Sequence, residues 1–336
     1  MNSLSNIFNE IINDFTKNEY AGQKSLSRKF ELNNKIMVLV YYNNYIKTSE
    51  VAIKIAEDFD KKVIAKYPNW NGIDVVVDKI EKGTDEGFYL SFQKLADYDD
   101  NIYVAILDDL IQNVEMVKNE KQLIIIVGKV LTKWKEFFKL NDELIMTEIK
   151  QQGLFSELLF LNKLLDKYGE TAIKFWSGCN NETHDFYISG DAVEVKSTSS
   201  NSANRASINN EYQLDTNDVT GNLYLAFVVL RKSQTDGETL PSLIQKIIEK
   251  IHIDNGLKDF ENQLFKYGYL LKKPELYKIC FVKREMKYYY IQDDFPKLIK
   301  PMLSVGISNV NYSLNLDVCE RFAITKATLM EKLKVL

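Results

Sequence analysis

The period of the hydrophobic positions changes along the chain and predicts its elements. In the first hundred residues, short runs rich in Val, Ile and aromatic residues alternate with polar turns, which is typical of β-strands. Three such runs lie at residues 36–42, 72–80 and 87–92. Apolar positions then recur about every 3.6 residues. This pattern predicts three helices, at residues 101–114, 123–138 and 147–169.

The second half of the chain returns to strand-like patterns. Residues 185–230 are rich in strand-forming side chains and are interrupted by the polar segment STSSNSANRASINN. Helical patterns follow at 240–251 and 257–267, and further strands are predicted at 277–292 and 309–316. We therefore expect an α/β protein of two domains, an N-terminal α+β domain over residues 1–140 and a second domain over residues 141–336.

Composition narrows the class of protein. The 336 residues are 45% hydrophobic and 27% charged, as in ordinary globular proteins, which excludes disordered and fibrous classes. A net charge of −4 excludes a wholly basic nucleic-acid coat, but not an enzyme that meets DNA through a local patch. Three cysteines are too few for a disulfide framework, and the apolar runs are shorter than the roughly 20 residues that span a bilayer. We expect a soluble cytoplasmic protein with no membrane partner.

The segment HDFYISGDAVEVKSTS, residues 184–199, predicts a β-hairpin. A two-residue turn at Gly190 and Asp191 would place Asp185 opposite Lys196 and Tyr187 opposite Glu194. Side chains alternate between the faces of a strand. One face therefore carries Asp185, Glu194 and Lys196, and the other carries only apolar side chains, namely Phe186, Ile188, Val193 and Val195.

This charged face has a chemical interpretation. Two carboxylates close together repel each other unless a cation lies between them, and oxygen ligands with room for water suit Mg²⁺. A lysine two residues after the second acid, Lys196, would stabilise the attacking water or the negative charge of a phosphoryl transition state. The alternative is an ordinary hairpin whose solvated face happens to carry an Asp, a Glu and a Lys.

A helical acid adds to this pattern. In GLFSELLFLNKLL, Glu157 has Leu154, Phe160 and Leu161 as neighbours at spacings of three and four residues. An unpaired charge on an apolar stripe is costly, so a partner must compensate it. One possibility is a salt bridge elsewhere. The other is a metal ion, a metal-bound water molecule or the hairpin lysine.

Together these residues resemble a known family. Glu157 on a helix, then Asp185, then Glu194-Val195-Lys196 after a hairpin, is similar to the PD-(D/E)XK nuclease superfamily. The runs TEIKQQGLFSELLFL, HDF, AVEVKST and RASINNEYQL resemble one branch of restriction-type enzymes found among phage-defence and restriction–modification genes. The resemblance covers residues 134–316 and implies a restriction-endonuclease-like core, a mixed β-sheet flanked by helices.

The resemblance also implies roles for the site residues. Asp185 and Glu194 would bind Mg²⁺, for which Mn²⁺ could substitute, with the Val195 carbonyl as a further ligand. Lys196 would be the catalytic lysine, and Glu157 would complete the site or bind a second ion. The products would carry 5′-phosphate and 3′-hydroxyl ends.

His184 departs from the superfamily pattern, because it stands where that pattern has proline. Strand alternation predicts that it points to the apolar face with Phe186, as a hydrogen-bonded structural histidine. Together with Cys179 it does not make a zinc site without two further ligands. There is no Walker-type loop, so any ATP would have to be used by a partner.

Candidate DNA contacts lie downstream of the hairpin. Arg205 and Gln213 are the strongest candidates, because the resemblance covers them. Thr198 and Ser200 continue the charged face if the strand persists. Ser207 and Asn209 lie in the same polar stretch as Arg205 and Gln213. Residues 266–287 hold seven basic side chains against two acids, with interleaved tyrosines, and could form a strand pair along a phosphate backbone. Its candidates are Lys272, Lys273, Lys283 and Arg284. The alternatives are an ordinary surface loop and a solvated hairpin.

The sequence thus favours a Mg²⁺-dependent endonuclease of the type II restriction kind that acts on double-stranded DNA. A methyltransferase or a helicase/ATPase are the candidate partners, and a homodimer would supply the two sites that a double-strand cut needs. The N-terminal domain is the default place for DNA recognition or partner docking. The alternative is a catalytically inactive DNA-binding or assembly subunit of a defence complex.

Overall fold

The structure, a computed structural model, describes residues 4–17, 20, 22–68, 72–81, 85–95, 99–141, 143–180, 182–200 and 204–334. The chain divides into two compact units, Met1–Lys139 and Leu140–Leu336. Both units mix helices and sheets, so the protein is of the mixed α/β class. Among the described residues, none of the helices combines the length and apolarity that crossing a bilayer requires.

The first unit contains a five-stranded antiparallel sheet with the strand order β1-β2-β3-β5-β4. Its elements are α1 (Leu4–Asp14), β1 (Ser25–Glu31), β2 (Met37–Asn43), β3 (Thr48–Ile55), β4 (Ile73–Ile80), β5 (Gly87–Lys94), α2 (Asp100–Val114) and α3 (Glu120–Leu140). The predictions of β2, β4, β5, α2 and α3 are confirmed. The apolar pattern did not predict α1, β1 and β3, and the two strands carry charged side chains that interrupt this pattern.

One buried acid of the first unit is fully compensated locally. Asp109 of α2 is 5% exposed. Its carboxylate accepts a hydrogen bond from the Trp134 indole N–H at 3.1 Å and lies 3.4 Å from the Lys133 ammonium. The Asn113 amide donates to it at 3.2 Å. This carboxylate therefore has a cation and two neutral donors around it.

The second unit is built on a mixed sheet with the strand order β10-β11-β9-β7-β6, and β13 pairs with β11. Strands β7 and β9 run parallel, and the other neighbours run antiparallel. Strands β8 and β12 form a separate antiparallel pair. The elements are α4 (Glu148–Tyr168), β6 (Phe186–Ile188), β7 (Asp191–Thr198), β8 (Arg205–Ile208), β9 (Leu223–Ser233), β10 (Glu238–Thr239), α5 (Leu240–Ile248), α6 (Asp254–Tyr267), β11 (Cys280–Ile291), β12 (Tyr312–Asn315), β13 (Ala323–Ile324) and α7 (Lys326–Lys332).

Helix α4 forms where the sequence predicts it. The Thr147 hydroxyl caps its first turn by accepting from the Lys150 N–H, and Gly169, at φ +59°, ends it. Its buried face packs on the sheet, with the Phe160 ring 5.0 Å from that of Phe186. The opposite face of the sheet, which includes Phe227, packs against β8 and β12. The sheet is therefore covered on both sides, and α4 holds its acid close to the β6–β7 hairpin.

The hairpin forms with a turn one residue earlier than predicted. Ser189 and Gly190 both have positive φ, +50° and +98°, as a type I′ turn requires. Tyr187 consequently pairs with Ala192, and continuing this register puts Asp185 across from Glu194. The predicted pairings of Asp185 with Lys196 and of Tyr187 with Glu194 are therefore wrong. Because the error shifts the register by two positions, the two faces keep the predicted side chains.

The basic segment 266–287 does not form the expected strand pair. It contributes the end of α6, a turn with Lys272 and Lys273, and part of one long strand, β11. The pairing of β11 with β9 is interrupted by a bulge between Lys283 and Glu285, which leaves Arg284 outside the ladder. Lys283 pairs with Leu230, whose side chain alternates to the sheet face opposite that of Glu194.

Candidate active site

Three acids and a lysine of the second unit line one cavity of about 410 Å³. Asp185 immediately precedes β6, while Glu194 and Lys196 lie two residues apart on β7. Glu157 comes from α4. Glu194 is 1% exposed and Glu157 6%, so these carboxylates are removed from bulk solvent. The structure brings together all four residues that the sequence marked.

Lys196 forms an ion pair with the second acid. Its ammonium lies 2.7 Å from Glu194 Oε1. Burial alone would lower the pKa of Lys196, but the negative charges of Glu194 and Asp185 outweigh this, and the pKa is raised. The lysine is therefore a fixed positive charge and not a proton acceptor.

Asp185 is bound to the backbone of the neighbouring strand. Its Oδ2 accepts a hydrogen bond from the Val195 N–H at 2.7 Å. Burial raises the pKa of Asp185 well above its usual range, and the charges of Glu157 and Glu194 raise it further. The cost of ionising this carboxyl is thus high, and a cation would lower it.

Glu157 is held by two uncharged donors. The Tyr267 hydroxyl donates to Oε1 at 2.6 Å, and the Trp176 indole N–H donates to Oε2 at 2.8 Å. Burial raises the pKa of Glu157 to about 7, against the opposing effect of these two hydrogen bonds. Of the partners that the sequence left open, neither a separate salt bridge nor a direct bond to the lysine is present among the described residues. Glu157 is held instead by a tyrosine and a tryptophan.

A glycine keeps open the space between two of the acids. A Cβ at Gly178 would overlap Glu157 Oε2 and lie 3.1 Å from Asp185 Oδ1. A side chain at this position would displace both carboxylates. Gly178 is therefore the residue that leaves room for a ligand between them.

The position of His184 differs from the prediction. Its ring is fully buried, yet neither ring nitrogen has a hydrogen-bond partner among the described residues. Nδ1 lies 3.5 Å from Glu194 Oε2, on the charged side of the hairpin. The expectation of a hydrogen-bonded histidine on the apolar face is wrong, because β6 begins only at Phe186 and strand alternation does not extend back to residue 184.

The donor set fits a hard divalent cation. When Glu157, Asp185 and Glu194 are ionised, Lys196 offsets one of their three negative charges, and Glu194 Oε2 is buried without a hydrogen-bond partner in the described part of the chain. The described residues contain no preformed cage of three or more His, Cys, Asp or Glu ligands. Mg²⁺ commonly takes one or two carboxylates and keeps several waters. Asp185 and Glu194 would hold such an ion, with space beside Gly178.

The predicted DNA contacts divide into two groups. Ser207, Asn209 and Gln213 line the cavity, and Gln213 Oε1 accepts from the Asn209 N–H at 2.9 Å. The cavity walls, as far as the chain is described, do not include the others, Thr198, Arg205, Lys272, Lys273, Lys283 and Arg284. The Thr198 hydroxyl accepts from the Ser200 N–H at the end of β7.

The sequence pattern did not indicate several residues of the site. The cavity is also lined by Lys150, Gln152, Gly178, Lys266 and Tyr267, and Trp176 donates a hydrogen bond to Glu157. Tyr267 lay inside the basic segment but was considered for stacking on bases and not for binding an acid. Cys179 also lines the cavity, and burial raises the pKa of its thiol to about 11, so it is not a reactive thiolate.

The similarity of this chain to known proteins is shown by a family model, which covers nearly the whole chain. No curated protein and no solved structure matches the chain. One family model matches residues 5–317, nearly the full length, and it is described as "Putative PD-(D/E)XK family member, (DUF4420)". The match includes the helix acid, the hairpin acids and the lysine of the cavity. The chain belongs to this PD-(D/E)XK family, DUF4420.

Proposed function

We propose that the protein is a Mg²⁺-dependent endonuclease that hydrolyses phosphodiester bonds of double-stranded DNA, with Mn²⁺ able to replace Mg²⁺. One observation carries the proposal. In a chain of the PD-(D/E)XK family, Asp185, Glu194 and Lys196 meet the helix acid Glu157 in a single cavity. Nucleases of this superfamily generally use divalent metals.

Each side chain then has a defined task. The cation, held by Asp185 and Glu194, would supply Lewis-acid polarisation of the phosphate and of the attacking water. Lys196 stays protonated and stabilises the negative charge that develops on the phosphoryl oxygens. Glu157, held by Tyr267 and Trp176, would complete the site beside Asp185 or bind a second ion.

The polar part of the cavity suits a phosphodiester backbone. Lys150 and Lys266 contribute positive charge, and Ser207, Asn209 and Gln213 contribute hydrogen-bonding groups. Such side chains position a nucleic acid without reading its sequence. On the basis of the family resemblance we further propose a role in restriction or phage defence in the cytoplasm, with a methyltransferase or a helicase/ATPase as partner and a homodimer as the form that makes double-strand cuts.

Cleavage of supercoiled plasmid by the purified full chain tests the proposal. We expect nicked and linear products with Mg²⁺ and none with EDTA. Asp185→Asn and Lys196→Ala should each lower the rate by at least about 10²-fold, since each removes charge stabilisation of the transition state. Asp109→Asn, which changes a buried acid of the first unit, serves as the control and should cleave like wild type.

The assay is done with methylated and unmethylated plasmid, with and without the proteins of neighbouring genes. The proposal is wrong if wild type cleaves no better than Asp185→Asn in any of these conditions. Tight DNA binding that is equal in Mg²⁺ and EDTA, without cleavage, would instead identify a DNA-binding or assembly subunit.

A further inference from the structure

Tyr267 reaches the active site from an element that the hairpin motif does not include. It is the last residue of α6, and Gly268, in the left-handed region at φ +109°, ends the helix directly after it. The Gly268 N–H bonds back to the Phe265 carbonyl, and the Tyr269 N–H bonds to that of Leu264. This double closure fixes the end of the helix and with it the direction of the Tyr267 side chain.

The side chains of Trp176 and Tyr267, which both donate to Glu157, pack against each other. The rings of Trp176 and Tyr267 are stacked, with their centroids 6.0 Å apart and their planes at 29°. The Phe260 ring packs against Trp176 at 6.1 Å. Because both rings are fixed by packing, their O–H and N–H groups approach the carboxylate of Glu157 from set directions.

Helix α4 contains a glycine that accommodates this arrangement. Gly153 lies one turn before Glu157, in the helix interior, where glycine is unfavourable. A Cβ at this position would lie 3.3 Å from the Tyr267 hydroxyl oxygen. Glycine therefore leaves the space that lets the phenol reach Glu157 Oε1.

The hydrogen bonds of Glu157 oppose its electrostatic attraction to Lys196. The positive charge of Lys196 acts on Glu157, while the ammonium itself is bound to Glu194 Oε1 at 2.7 Å. Without fixed donors, a flexible glutamate would turn towards the nearest cation. Such a turn would draw Lys196 away from Glu194 and Glu157 away from the space beside Gly178.

We propose that Tyr267 is a positioning residue of the active site, which together with Trp176 holds the carboxylate of Glu157 towards Asp185 and away from Lys196. This inference rests on the proposed nuclease function. It gives α6, which also carries the cavity residue Lys266, a role in orienting the helix acid. Tyr267 acts through Glu157 and does not itself take part in bond breaking.

Nuclear magnetic resonance of the metal-free, full-length protein tests the geometry without any need for activity. The chain has three tryptophans, and Trp176→Phe assigns the indole N–H signal of Trp176. Tyr267→Phe keeps the stacked ring and removes only the hydroxyl. We expect this substitution to move the Trp176 indole signal towards the position of a non-hydrogen-bonded indole, because Glu157 turns away. Tyr269→Phe, a hydroxyl deletion two residues further on, should leave the signal in place.

Kinetics provide the second test. Tyr267→Phe should slow plasmid cleavage by about 10- to 100-fold with little change in KM, as is typical when a partner that orients an active-site carboxylate is removed. In a Glu157→Gln background the same change should cost no more than about twofold, because residues that act through one another are not additive. Tyr269→Phe should cleave like wild type.

The outcomes separate the two proposals. An unchanged Trp176 signal in Tyr267→Phe, or equal slowing in the wild-type and Glu157→Gln backgrounds, would overturn the positioning role while leaving the nuclease function intact. Absence of cleavage by wild type would overturn the nuclease function, and the shift of the indole signal would still report on the contact between Tyr267 and Glu157.

Discussion

Two buried helix acids, one in each unit, have similar surroundings but different charge balance. Asp109 is 5% exposed and Glu157 is 6% exposed. Each accepts a hydrogen bond from a tryptophan indole, at 3.1 Å from Trp134 and at 2.8 Å from Trp176. The remaining partners differ, because Asp109 has an ammonium 3.4 Å away whereas Glu157 has a tyrosine hydroxyl.

The two positions thus differ in charge compensation and not in burial. Burial and hydrogen bonding are common to both positions. The negative charge of Asp109 is balanced by its own lysine. In the second unit, Glu157, Asp185 and Glu194 share one cavity, and of these three acids only Glu194 forms an ion pair among the described residues, so a divalent cation would compensate the other carboxyls when they ionise.

The pH dependence of stability should differ most between the two acids. The pKa of Glu157 rises from its ordinary value of 4.5 to about 7 in the folded protein. Its proton is therefore held more tightly in the folded than in the unfolded chain, which stabilises the metal-free protein at low pH. This contribution is lost as the pH rises from about 4.5 to about 7, and it amounts to about 3 kcal/mol in the free energy of unfolding.

Urea unfolding of wild type and Glu157→Gln across this pH range measures the effect. The stability of wild type should fall relative to that of Glu157→Gln as the pH rises. Asp109→Asn should follow the slope of wild type. Parallel curves for wild type and Glu157→Gln would contradict the raised pKa.

At mildly alkaline pH without metal, we expect smaller changes in the free energy of unfolding when Asp185 or Asp109 is replaced. The changes should have opposite signs in the two units. Asp185→Asn removes a carboxyl whose ionised form is disfavoured by burial and by the charges of Glu157 and Glu194, and should raise the free energy of unfolding by on the order of 1 kcal/mol. Asp109→Asn removes the charge that faces Lys133 and should lower the free energy of unfolding by about 1–2 kcal/mol. Denaturant unfolding with EDTA present measures both, and destabilisation by Asp185→Asn would mean that its charge is already compensated.

The sequence predicts the parts of the site that depend on local periodicity. Glu157 falls on the apolar stripe of a capped helix, and strand alternation puts Glu194 and Lys196 on one face of β7, while Asp185, just before β6, lines the same cavity. The assignment of side chains to faces tolerates a small error in the position of the turn. The misplaced turn at Ser189 moved the register by two positions and therefore preserved the faces.

The sequence does not predict contacts that depend on tertiary packing. Tyr267 lies 110 residues from Glu157, and only the docking of α6 brings them together. His184 precedes the first residue of β6, where alternation no longer applies. The mid-helix Gly153 was a usable signal, since a glycine inside a helix often marks a close approach.

Calorimetric titration of Mn²⁺ into the full chain without DNA measures whether the acids of the second unit bind a divalent cation. We predict saturable binding near neutral pH in wild type and in Asp109→Asn. We predict that Asp185→Asn and Glu194→Gln each lose this binding. Equal binding by all four proteins, or none by wild type, would contradict the account.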